Sequence, residues 1–142
     1  MNWMPAVTDS NIIIYAYDPT DPVKRDRALA FIEQQIADGT LIVSTQVLHE
    51  FYNRATKPNK PPSLSHEDAV VIINKIIVSA VVHPLSLPVT KYALYAIKRY
   101  QMSLWDALIW AVAKEYGDTV IYTEDTQSQP EIEGVRYVNP LL

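Results

Sequence analysis

Asp9, Glu50, Asp106, Glu124 and Asp125 lie far apart along the chain, yet each falls close to a short apolar run or a helix start. Asp9 follows Pro5-Ala6-Val7, Glu50 lies in the helical pattern just after Leu41-Ile42-Val43-Ser44, and Asp106 sits in the first turn of another. Glu124 and Asp125 directly follow Thr119-Val120-Ile121-Tyr122-Thr123. In an open α/β sheet, ligands bind beyond the carboxyl ends of the strands, so acids placed this way point toward one edge. Carboxylates gathered there raise one another's pKa and oppose folding, a conflict that a divalent cation removes. With no cysteine and three scattered histidines, the available donors are oxygens, which favours a hard ion, Mg²⁺ or Mn²⁺, over zinc. Such an ion can activate a water and stabilise charge on a phosphodiester. The chemistry implied is metal-dependent phosphodiester hydrolysis.

Each acid also has an ordinary reading. Asp9 could cap a helix or close a turn, and Glu50 could be an exposed helical residue. Ser103 and Asp106 have the spacing of a cap and its third residue. Glu124 and Asp125 could simply begin a polar loop. The catalytic reading rests on their joint placement.

The elements that must position these acids alternate. Leu41–Ser44, Thr119–Thr123 and Val135–Asn139 read as short buried strands. Helical patterns run over Lys24–Ala37, Thr45–Ala55, Ala69–Ala80, Val89–Tyr100 and Leu104–Tyr116, with Gly39 a stop for the first and Ser65 to Asp68 a capping box before the third. Strands separated by helices imply crossovers, and hence a mostly parallel sheet covered by helices. Ile12-Ile13-Ile14-Tyr15 is too short to assign by period alone. Thr56–Ser63, with three prolines, reads as a loop between helices.

Composition bounds the function. The 142 residues suit one domain spanning 1–142, and 49% hydrophobic content argues against wholesale disorder. The absence of cysteine excludes a disulfide scaffold, thiolate metal sites and a cysteine nucleophile. The N-terminal residues lack a secretory pattern and no apolar run is long enough to span a bilayer, so a cytoplasmic protein is expected. A net charge of −4 argues against non-specific coating of nucleic acid, but not against an enzyme that holds a phosphodiester through metal ions. Phosphate-cradling loops and nucleophile elbows are absent.

Four segments resemble the PIN-domain ribonucleases, specifically the VapC-type toxins of bacterial toxin–antitoxin pairs. These are Asp9-Ser10-Asn11-Ile12-Ile13-Ile14-Tyr15-Ala16, Ser44 to Tyr52 around Glu50, Ser103-Leu104-Trp105-Asp106-Ala107-Leu108-Ile109, and Thr123-Glu124-Asp125 followed by Gly134-Val135 and Val138-Asn139-Pro140. Thr126 to Pro130 lacks the aromatic that many members carry there. The resemblance implies a three-layer α/β fold with a parallel four- to five-stranded sheet flanked by helices, Ala6–Thr8 as its first strand and Asn11–Tyr17 as a helix. It implies a catalytic, metal-holding set of Asp9, Glu50, Asp106 and Asp125, with Glu124 the alternative fourth acid. Asn11 and Ser103 would line the site. A Mg²⁺ or Mn²⁺ cofactor, an RNA substrate, a cognate antitoxin and a homodimer are implied with it.

Arg54, Lys57 and Lys60 recur every three residues after Glu50 and could hold an RNA backbone or simply face solvent. Trp105, Trp110, Tyr92 and Tyr95 lie in helical patterns and are expected in the core or at a dimer contact. His49 is a candidate for the site rim. Two rival functions stand beside the ribonuclease: a non-catalytic PIN-like binding or regulatory module, and a receiver-like phosphoacceptor. The phosphoacceptor needs a lysine just after a late strand, whereas Val135–Asn139 is followed by Pro140-Leu141-Leu142.

Overall fold

The computed structural model describes residues 5–125 and 129–142. The elements in order are β1 (Ala6–Thr8), α1 (Ser10–Tyr17), α2 (Pro22–Asp38), β2 (Ile42–Ser44), α3 (Thr45–Ala55), α4 (His66–Ser79), β3 (Val81–His83), α5 (Leu87–Tyr100), α6 (Leu104–Tyr116), β4 (Val120–Tyr122), β5 (Glu131–Ile132) and β6 (Val135–Val138). The sheet order is β3-β2-β1-β4-β6-β5. The five strands from β3 to β6 run parallel, and β5 adds a short antiparallel edge. This is the expected α/β architecture with helices flanking a parallel sheet, enlarged by one strand.

Burial follows that order. Every residue of β1 and β2 is buried, whereas β3, at the edge, is only partly so. Helix α5 packs along α6, and α1 packs against α2 and α3. Trp110, Phe51, Ile12 and Ile13 are among the largest wholly buried side chains. Trp110 is the core residue expected of it, and its indole N–H donates to the Ile132 carbonyl at 3.1 Å.

Helix starts are written in side chains. Asp9, Asp21, Ser44, Ser65, Ser86 and Ser103 each accept a backbone N–H from the first turn that follows. The caps explain why α2, α4 and α5 begin two or three residues before their apolar patterns do. Pro22 and Pro88 also occupy first-turn positions, where a missing N–H has no consequence. The Thr56–Ser63 segment is the expected connection, between α3 and α4. The β5–β6 hairpin turns through Glu133 and Gly134, both at positive φ (49° and 86°), as a two-residue hairpin turn requires. Among the described residues, no helix is long and apolar enough to cross a membrane.

Candidate active site

The parallel register sets β1 beside both β2 and β4, with Thr8 opposite Tyr122. The chain therefore leaves β1 and β4 at the same edge, and the Asp9 N–H donates to the Tyr122 carbonyl at 2.9 Å. Asp9 fills both roles open to it. Its Oδ1 caps α1 by accepting the Ser10 N–H at 2.7 Å, while Oδ2 accepts the Thr123 hydroxyl at 3.0 Å. Burial pushes its carboxyl above the ordinary range, and the charges of Asp125 and Asp106 push the same way. The hydrogen bonds from Thr123 and Ser10 oppose them.

Glu50 reaches the same place from α3. Its carboxyl is raised by burial and then by the charge of Asp9, with a further contribution from Asp106. Asp106 comes from the first turn of α6, where its N–H donates to Ser103 Oγ at 3.2 Å. The Ser103 hydroxyl is thus the helix cap, joined to the backbone of Asp106, and among the described residues it makes no hydrogen bond to a site carboxylate. Asp125 is exposed. Its Oδ2 accepts the Asn11 side-chain amide at 3.3 Å, and its N–H donates to the Thr123 hydroxyl at 3.0 Å. Neighbouring Glu124 turns elsewhere, accepting the Tyr15 hydroxyl at 3.0 Å and pairing with Lys24 at 2.8 Å. The charge of Asp125 is among those that raise the Asp9 carboxyl. Thr126 to Ser128, the first residues after Asp125, lie outside the described residues.

Asp9, Glu50, Asp106 and Asp125 therefore come from four different parts of the chain, with the charges of Asp106 and Asp125 acting on Asp9 and those of Asp9 and Asp106 acting on Glu50. Among the described residues, however, no three acidic or histidine side chains form a closed metal-binding group. The donor chemistry fits a hard ion that keeps most of its shell as water and takes one or two carboxylates.

Three residues outside the predicted set belong to this environment. Gln46, on α3 one turn before Glu50, donates to Glu50 Oε1 at 3.1 Å and to the Trp105 carbonyl at 3.2 Å. Both partners are acceptors, so the amide nitrogen must face them. Thr123 joins Asp9 to the Asp125 backbone. Tyr137, on β6, has a buried hydroxyl without a protein partner, raised by burial and by the charges of Asp106 and Asp9. The i, i+4 spacing of Gln46 and Glu50 is visible in sequence, whereas nothing local marks Tyr137.

Two grooves flank Glu50. One, of about 400 Å³, is lined by Asn11, Tyr15, Glu50, Asn53, Arg54 and Lys57 among others. It holds Asn11 and Arg54, two of the predicted substrate-binding residues. The other, of about 500 Å³, is lined by Gln46, His49, Glu50, Asn53, Leu85 and Trp105. Trp105 is 60% exposed there, which excludes the core from its two expected places and leaves a surface contact, because it precedes the buried stripe of α6 that starts at Ala107.

The profile of the PIN domain matches residues 6–134. The chain belongs to the PIN-domain family. No curated protein is a significant sequence match to it. Solved structures with the same fold include Mycobacterium tuberculosis VapC20, described as a sarcin–ricin loop cleaving toxin, at 16% identity and TM-score 0.64 over 84% of this chain and 89% of that one. A chain of Rickettsia felis VapBC2, bound to a DNA fragment from its promoter, matches at 17% identity and TM-score 0.67 over 94% and 97%. A chain of a toxin–antitoxin complex from Klebsiella pneumoniae matches at 20% identity and TM-score 0.68 over 95% and 97%. At these identities the likeness is one of fold.

Proposed function

We propose that this PIN-domain protein is a Mg²⁺- or Mn²⁺-dependent endoribonuclease that cleaves cellular RNA, and that it acts as the toxin of a toxin–antitoxin pair. The observation that carries this reading is the convergence of Asp9, Glu50, Asp106 and Asp125, with Asp9 and Glu50 both raised by burial and by neighbouring charge. Such a cluster works against stability unless positive charge is supplied. A bound Mg²⁺ or Mn²⁺ would supply it, together with an activated water and compensation for charge developing on the phosphate.

The chain's own residues have separable tasks. Asp9 and Asp106 would hold the ion most directly, and Glu50 and Asp125 would orient water around it. Thr123 and Gln46 keep two of these acids in place through the hydrogen bonds they donate. Asn11 and Arg54 line the adjoining groove, where they would contact the RNA backbone.

The antitoxin is proposed from the fold neighbours, several of which were solved as toxin–antitoxin complexes. A homodimer is proposed with it, from the apolar side chains that α4 and α5 expose, among them Val71, Val78 and Leu94. The lack of a closed carboxylate group among the described residues favours a second reading, a non-catalytic PIN-like binding or regulatory module.

The deciding experiment is RNA cleavage by purified, antitoxin-free protein with and without Mg²⁺ or Mn²⁺, alongside Asp106→Asn. Total RNA and a tRNA pool are the substrates. Discrete metal-dependent fragments, absent in the variant, establish the nuclease. Folded protein that cuts nothing with either metal favours the binding module.

A further inference from the structure

The two grooves beside Glu50 differ in chemistry and share a wall. Glu50 and Asn53, one turn apart on α3, line both. On one side the groove is basic, through Arg54 and Lys57. On the other it is apolar and aromatic, through Leu85 and Trp105, with the amide of Gln46 and the imidazole of His49 at its edge. Trp105 is 60% exposed and Leu85 38%. Trp110 on the same helix is buried against Tyr92, Tyr95 and Tyr100, contacts in which Trp105 takes no part. The backbone of Trp105 is nevertheless held: its carbonyl accepts from Gln46, the residue that also donates to Glu50. Gln46 is 4% exposed, so the platform and the acid are fixed to one buried amide.

We propose that the Trp105–Leu85 groove is a nucleobase subsite, and that Arg54 and Lys57 hold the RNA backbone across the Glu50–Asn53 ridge. The proposal rests on the ribonuclease reading and extends it to the way a strand lies in the cleft. A stacked base needs a flat π-face and an apolar counter-wall, with polar groups at its rim to read its edge. A phosphate needs a cation nearby that is not already neutralised. The chain carries a net charge of −4, so two cations in one groove beside the acids are a local arrangement rather than the general character of the surface. The order apolar groove, acidic ridge, basic groove matches base, scissile phosphate and flanking phosphate. The base entering beside Trp105 would be the one next to the cut, which makes Trp105, His49 and Asn53 determinants of sequence preference.

The test uses short oligoribonucleotides carrying 2-aminopurine, bound to full-length protein with Asp106→Asn so that the RNA stays intact. Stacking on Trp105 should quench the probe. Adding Trp105→Ala should remove the quench and weaken binding about fivefold to a hundredfold, the range of one stacked base, while Trp105→Phe restores most of both. Adding Lys57→Ala should weaken binding and flatten its salt dependence but keep the quench at saturation. Because the Trp105 side chain is exposed, its variants should melt with the wild type, which separates lost stacking from lost folding. Unchanged quench and affinity in Trp105→Ala overturn the subsite. So does protein that binds no oligoribonucleotide while a protein partner buries Trp105, since the groove is then a docking surface. Wild-type protein that cuts no RNA, combined with a Trp105-dependent quench, removes the nuclease reading and leaves the base subsite standing. RNA cutting with a base preference indifferent to Trp105 does the reverse.

Discussion

The Thr123 hydroxyl donates to Asp9 Oδ2 at 3.0 Å and accepts the Asp125 N–H at the same distance, joining the first acid of the site to the last. Thr123 is 2% exposed, so both bonds are made away from bulk water. Thr123→Val keeps the shape and removes the link. Stability should fall by about 1–2 kcal/mol, the cost of leaving buried partners unmatched, measurable as a lower urea midpoint with unchanged slope. RNA cleavage should fall about tenfold or more as Asp9 and Asp125 lose their common anchor. Wild-type cleavage in this variant would remove Thr123 from the positioning set.

Asp9→Asn separates charge from shape. Asparagine caps helices as well as aspartate does, so α1 keeps its start. The Asp9 carboxyl is raised in the folded protein, by burial first. The native state therefore binds protons more readily than the unfolded chain, and Asp9 contributes a loss of stability as pH rises through its folded pKa. Without divalent ions at pH 7.5, Asp9→Asn should melt about 2–5 °C above the wild type. Saturating Mg²⁺ or Mn²⁺ should raise the wild-type midpoint and leave the variant nearly unmoved. Identical midpoints with EDTA and with either metal, in both proteins, would contradict ion binding at Asp9.

Gln46→Met removes both donors from the amide that joins Glu50 to the Trp105 carbonyl. Glu50 and the Trp105 platform should then both drift, so kcat should fall about ten- to a hundredfold and KM should rise with it. A rise in KM with kcat unchanged would show that Glu50 does not depend on the Gln46 amide.

The last test lies away from the cleft. Asp118 is 3% exposed and burial pushes its carboxyl to about 6. His83 Nε2 lies 3.5 Å from Asp118 Oδ2, and burial lowers the His83 pKa, which works against a charged pair. A raised carboxyl in the folded state means that stability contributed here is lost between about pH 4 and 6 as Asp118 gives up its proton. The unfolding free energy of Asp118→Asn relative to wild type should rise by about 1–3 kcal/mol from pH 4 to pH 7.5. A change of opposite sign would show that His83 and Asp118 form a charged pair.

Much of this was legible in the sequence where side chains act locally. Ser65, Ser103 and Gly39 announced helix ends because caps and left-handed stops are short-range devices. Leu41–Ser44 and Thr119–Thr123 announced strands because both are buried β-branched runs. Val81–His83 was not separable from the apolar stretch of α4 before it, since three residues carry no period and its pairing with β2 is set by the tertiary fold. Glu131–Ile132 exists because Glu133 and Gly134 turn the chain back, a feature of backbone angles rather than hydropathy. The choice between Glu124 and Asp125 was open for a similar reason. Adjacent residues leave a strand in opposite directions, and only the positions of Tyr15 and Lys24 show where Glu124 goes. The choice between core and surface contact for Trp105 stays open in sequence because its helical pattern does not show that the buried stripe of α6 begins at Ala107.

The pairing of β1 with β4, which sets Val7 opposite Ile121, has a consequence for synthesis. β1 leaves the ribosome before its central partner β4, with two strands and six helices made in between. Until β4 docks, Asp9 lacks the Thr123 hydroxyl and Asp125 has no place beside Asn11. An unfinished chain therefore carries its acids unassembled, and under the proposed ribonuclease reading it could not cut RNA while it is being made.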